Sequence, residues 1–201
     1  VGSEMCIRDR DCKYPVVYAE RGRAVIKVKA DLDHLITFMN KYILNTQNKG
    51  ERLGIDYKND EFGQLEIRNY HLTKEDFSFS ISYPAGITLE EILDQLNRIE
   101  GYEYEVVSHF KPVYFDKKAP MVEIMKETYE YVTGNDGTPV TTTGGTYAKM
   151  MPHIVPFGPS FPGQKGIGHN PNEWMTREDL ITNAKIYALT LYQLSRKETE
   201  L

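Results

Sequence analysis

The run Asp76-Phe77-Ser78-Phe79-Ser80-Ile81-Ser82-Tyr83 alternates polar and apolar residues without a break and is closed by Pro84. Successive side chains of an extended chain point to opposite faces, so this run can bury one face only. A slip of one residue would carry every ring to solvent. It predicts a half-buried strand over 76–83, paired with a second strand over 64–71.

The flanking sequence supplies partners for that pair. Residues 23–30 mix alternation with β-branched side chains and read as another half-buried strand. Asp31 reads as a helix N-cap, and Leu32, Leu35, Ile36, Met39, Tyr42 and Ile43 recur at helical spacing, predicting an amphipathic helix over 32–44. Thr88-Leu89-Glu90-Glu91 is a capping box that opens a helix running through Ile99, and residues 102–114 read as a last strand. Strand, helix, strand, strand, helix, strand over 23–115 is the ferredoxin-like βαββαβ order, an antiparallel sheet covered on one side by two helices. The class is α/β. Enzymes, regulatory modules and dimerisation domains all use that order, so it names no function.

The last third changes character. Pro120 precedes a helix carrying Val122, Met125, Tyr129 and Val132 on one face and ending at Gly134. From Gly137 to Trp174 the chain is dense in Gly, Thr and Pro, with one short apolar strand expected near 154–157. A loop-rich stretch of that length usually carries function. Thr176 caps a closing helix to about Leu194, with Leu180, Ala184, Tyr187 and Leu191 on one stripe. With 201 residues, 40% of them hydrophobic, the chain can build one or two cores, and its net charge of -5 provides no field for nucleic acid or an anionic membrane. No apolar stretch approaches the ~20 residues that span a bilayer. Only Cys6 and Cys12 are present, which suits a reducing cytoplasm.

Four ordered segments share one likeness: Asp11-Cys12-Lys13-Tyr14-Pro15 with the following Val16 to Gly22, then Thr142-Thr143-Gly144-Gly145-Thr146-Tyr147-Ala148, then Phe157-Gly158-Pro159-Ser160-Phe161-Pro162-Gly163, then Gly168-His169-Asn170-Pro171-Asn172-Glu173. Together they resemble the C-terminal end of PepV-like dipeptidases, in the di-zinc superfamily of carnosinase, aminoacylase and glutamate carboxypeptidase. The resemblance implies a lid domain inserted into a catalytic domain, with residues 11–22 ending the first half of the latter, 23–115 forming the lid or a dimerisation domain, and 116–201 completing the catalytic domain. It implies His169 and Asp11 as ligands of two Zn²⁺ ions that activate water for hydrolysis of a dipeptide amide bond. It also implies that Gly144, Gly145, Thr146 and Tyr147 border the substrate, where glycines let backbone N–H groups approach a carboxylate or oxyanion. Taken alone, these residues leave open a surface histidine, a tight turn and an ordinary turn aspartate. Residues 1–10 resemble a translated sequencing-adapter tail and are set aside from fold reasoning.

Departures from the pattern are equally specific. None of the five histidines stands in a His-x-Asp motif, and the only Glu-Glu pair, Glu90-Glu91, belongs to a helix cap. The family's general base is therefore absent, and two ligands do not hold a dinuclear site. Where the resemblance implies an Arg-Tyr-Pro that clamps the substrate carboxylate, Ser82-Tyr83-Pro84 stands instead, so Ser82 can offer only a hydrogen bond. The expectation is a C-terminal portion, inactive until joined to an N-terminal half, with a homodimer through the lid. Helices 120–133 and 176–195 are then expected to expose apolar faces that the other half covers. A non-catalytic homologue, using its ferredoxin-like unit for dimerisation or small-molecule binding, is the competing expectation.

Overall fold

The structure is a computed structural model describing residues 16–142, 145–150, 154–158, 161 and 171–196. In chain order it contains β1 (Val17–Glu20), β2 (Gly22–Lys29), α1 (Leu32–Phe38) continuing as a π turn (Met39–Ile43), a 3-10 turn (Glu51–Leu53), β3 (Lys58–Asn59), β4 (Gly63–Gln64), β5 (Glu66–Leu72), β6 (Asp76–Tyr83), α2 (Leu89–Leu96), β7 (Glu103–Phe110), β8 (Val113–Tyr114), α3 (Pro120–Thr133), β9 (Val140–Thr142), a 3-10 turn (Tyr147–Met150) and α4 (Arg177–Arg196). The chain divides into a unit Arg21–Val113 and a second unit built from the segments on either side of it.

In the unit Arg21–Val113 a four-stranded sheet has the order β5-β6-β2-β7, with every neighbouring pair antiparallel. β2 pairs β6 along its whole length, from Gly22 opposite Tyr83 to Lys29 opposite Asp76. That register sends Ala24, Ile26 and Val28 to the same face as Phe77, Phe79, Ile81 and Tyr83, and both helices close over it with Leu35, Phe38, Leu89, Ile92 and Leu96. Each such side chain contributes ~1.5–3 kcal/mol on full burial. The Phe38 ring centres the aromatic packing, its centroid 4.9 Å from Tyr102 and 6.0 Å from Phe77.

Local signals set the helix ends. Asp31 accepts the His34 N–H at 3.0 Å, and Thr88 with Glu91 forms the reciprocal capping box, at 3.2 Å and 2.8 Å. α2 stops at Leu96 rather than Ile99, because the Arg98 and Ile99 N–H groups turn back to the carbonyls of Gln95 and Leu96 three residues behind them. The strand expected over 102–114 is two strands. Pro112 has no N–H to continue the ladder, so β7 ends at Phe110 and β8 joins a different sheet.

Tyr83 explains why β2 begins with glycine. A Cβ on Gly22 would lie 2.7 Å from Tyr83 Cε1, inside the fully buried ring. Gly22→Ala should therefore lower stability by about 1–3 kcal/mol through overpacking. Urea unfolding monitored by circular dichroism checks this, and an unshifted midpoint would contradict the packing.

The second unit contains the three-stranded sheet β8-β1-β9, in which β1 and β9 run parallel. All four residues of β1 are buried, as expected of a strand covered on both faces. α3 starts on Pro120 and ends on Gly134 at φ 70°, a left-handed conformation that glycine adopts without strain. Val122 and Met125 pack with Val16 and Val155, while Tyr129 packs with Phe161 and Ile186. The strand expected near 154–157 is a single bridge, Val16 to Phe157; Pro156 accepts from the Val17 N–H at 3.0 Å but has none of its own to extend a ladder. α4 buries Asn183, Ile186 and Thr190 yet leaves Leu180, Ile181, Leu191 and Tyr192 exposed. Among the described residues no helix is long and apolar enough to cross a membrane.

Candidate functional site

Parallel pairing of β1 with β9 aligns Val17 with Val140 and Glu20 with Thr142, so both strands end at the same edge. In open α/β sheets ligands bind beyond the carboxyl ends of the strands, which is where the loop after Thr142 emerges. That loop contains the substrate-bordering residues expected from the sequence. Thr146 donates its N–H to Glu20 Oε2 at 2.8 Å, and its own hydroxyl accepts the Ala148 N–H at 3.1 Å. The second bond opens the 3-10 turn Tyr147–Met150 and leaves the Tyr147 ring exposed. Gly145 lies beneath the Lys149 side chain, whose Cε would be 2.6 Å from a Cβ at that position. Gly145, Thr146 and Tyr147 are thus brought together on one loop; Gly144, His169 and Asp11 lie outside the described residues.

Ser82 belongs to the other unit, near the end of β6, between Arg23 on β2 and Glu66 on β5. Its carbonyl accepts from Arg21 Nη2 at 2.7 Å, and the same guanidinium nitrogen donates to the Gln64 carbonyl. Burial lowers the Arg21 pKa, against the opposing pull of Glu66, and the neighbouring Arg68 and Arg23 lower it further. Next to Ser82, the Tyr83 hydroxyl lies 2.7 Å from His109 Nε2, with the two rings stacked at 6.2 Å. Burial is the largest influence on His109 and depresses its pKa, outweighing the Glu90 carboxylate, which raises it. The neutral ring accepts the Tyr83 proton, and burial raises the Tyr83 pKa so that it keeps that proton.

Sequence reasoning passed over Glu20, Arg21 and the Tyr83–His109 pair. A signal for Glu20 was present: a lone carboxylate ending the run Val16-Val17-Tyr18-Ala19. No group of three or more His, Cys, Asp or Glu gathers among the described residues, so they do not by themselves fit a metal centre.

The sequence pattern of peptidase family M20/M25/M40 matches residues 8–193. The chain belongs to that family. A Staphylococcus aureus (strain USA300) protein named "Putative dipeptidase" is 28% identical over 198 residues, covering 92% of this chain and 42% of its own length. A Staphylococcus saprophyticus protein of the same designation is 26% identical over 183 residues, covering 87% and 39%. This M20 chain therefore spans about two fifths of the length of the curated relatives it matches. Among solved structures, human carnosine dipeptidase 1 superposes with a TM-score of 0.60 at 12% identity, covering 94% of this chain and 58% of that one. A Staphylococcus aureus tripeptidase gives 0.61 at 16% identity, covering 94% and 56%. These two share the fold of the M20 chain.

The His109 contact generates a pH dependence. A histidine whose folded pKa lies below the unfolded value of ~6.5 binds more protons unfolded, so its contribution is complete above that pH and is lost as pH falls through the folded pKa. Stability of the wild-type chain should decline below about pH 6.5 more steeply than that of His109→Gln. Urea midpoints measured from pH 7.5 to 5 check this, and parallel curves would contradict it.

Proposed function

We propose that this chain is the C-terminal portion of a zinc-dependent dipeptidase, inactive by itself, whose unit Arg21–Val113 is the ferredoxin-like lid. The observation that carries the reading is the family match over residues 8–193, which continues on both sides of that unit. Relatives named as dipeptidases support a dipeptide as the substrate. Incompleteness is supported by the span of 42% of the relative's length. It is supported too by the second unit's small described sheet, of two, four and three residues per strand, and by the apolar stripe of Leu180, Ile181, Leu191 and Tyr192 on α4. Leu180 and Leu191, like Ile181 and Tyr192, are three turns apart, so the four form one face suited to the other half of the domain.

In this reading His169 and Asp11 are zinc ligands, Gly144 to Tyr147 border the substrate, and Ser82 takes the place of an arginine clamp. The general base and the remaining ligands come from the N-terminal half. The place of action is the cytoplasm, consistent with sparse cysteine. In the full-length protein, His169→Ala should remove bound zinc and abolish dipeptide hydrolysis, measured by metal analysis and by ninhydrin assay of released amino acids. Unchanged zinc content and turnover would overturn the ligand assignment.

A homodimer through the lid is part of the same proposal. β7 is an edge strand of its sheet and exposes Val106, Val107 and Phe110. An apolar, unpaired edge favours pairing with a second copy. Light scattering should find the full-length protein dimeric and Val107→Lys shifted toward monomer; a monomeric wild type would contradict this part.

A further inference from the structure

We propose that Glu20 is a positioning residue for the substrate-bordering loop; the proposal rests on the dipeptidase reading above. Glu20 ends β1 and is only 1% exposed. Its three predecessors in the strand, Val17, Tyr18 and Ala19, are buried too. Packing alone would be served there by an apolar side chain, because a buried carboxylate loses hydration that few contacts restore. One thing a carboxylate provides that a leucine cannot is a strong acceptor. Oε2 uses it on the Thr146 N–H at 2.8 Å, across 126 residues of sequence. Oε1 is buried and has no hydrogen-bond partner among the described residues, so the side chain is not retained to satisfy a larger network there.

The consequence propagates along the loop. β9 delivers the chain to the carboxyl edge of the sheet, at Thr142 beside Glu20. The hydrogen bond to Thr146 then holds the returning backbone against β1, and the Thr146 hydroxyl, fixed in turn, caps the turn that carries exposed Tyr147. Glu20 touches neither substrate nor metal in this account. It sets where Gly145, Thr146 and Tyr147 stand, so its removal weakens binding through the loop.

The test is a comparison of Glu20→Leu and Glu20→Gln in the full-length protein. Leucine removes the acceptor, so KM for dipeptides should rise on the order of tenfold while kcat and zinc content change little. Glutamine keeps a carbonyl acceptor for Thr146 and should restore KM to within about threefold of wild type. A wild-type KM in Glu20→Leu, or a glutamine variant as impaired as the leucine one, would overturn the proposal. Should Glu20→Leu fail to fold, amide exchange of Thr146 in the wild-type protein decides: a protected amide supports the tether, and exchange at the rate of an open loop refutes it. A wild-type protein that hydrolyses no dipeptide would instead sink the dipeptidase reading, while the exchange measurement would still report on the tether.

Discussion

The register between β2 and β6 is the constraint on which the unit Arg21–Val113 depends. With Gly22 opposite Tyr83 and Lys29 opposite Asp76, each alternating apolar residue of both strands meets the two helices, and each serine of β6 stays on the other face. Moving β6 by one residue would bury three serines and expose two phenylalanines, an isoleucine and a tyrosine. Tyr83 locks the register at one end. Its ring fills the space a side chain on residue 22 would need, and its hydroxyl reaches diagonally to His109 on β7, which is opposite Ala24, so strands β6, β2 and β7 are fixed together at that end of the sheet.

Much of this was legible because period two and period 3.6 are local. The rings of 76–83, the cap at Asp31 and the capping box at Thr88 all announce elements that the structure contains. What was not legible depended on distant partners. β1 has no alternation, being buried on all four residues, and its strand character comes from β8 and β9, about a hundred residues or more away in sequence. Residues 102–114 have strand composition throughout, yet Pro112 divides them between two sheets. The four-segment likeness singled out Gly144 to Tyr147, of which Gly145 to Tyr147 lie among the described residues. It could not disclose that Glu20 holds that loop, since the hydrogen bond exists only once β1 and β9 lie side by side.

The second unit carries the loop singled out by the likeness, and the chain belongs to peptidase family M20/M25/M40. The carboxyl edge of a parallel strand pair presents a glycine-containing loop whose Thr146 N–H is held by a buried carboxylate. The described part of the chain gathers no set of metal ligands, and the chain spans about two fifths of its relatives. We therefore propose a shared catalytic centre, completed by residues outside this chain, on the strength of the family match and of that span.

The most direct measurement of that claim is dipeptide hydrolysis by the full-length protein and by the 201-residue chain, each assayed with zinc and after chelation. The account predicts zinc-dependent turnover by the full-length protein and none by the chain alone. A folded full-length protein that neither binds zinc nor cleaves dipeptides, or turnover by the isolated chain, would contradict it.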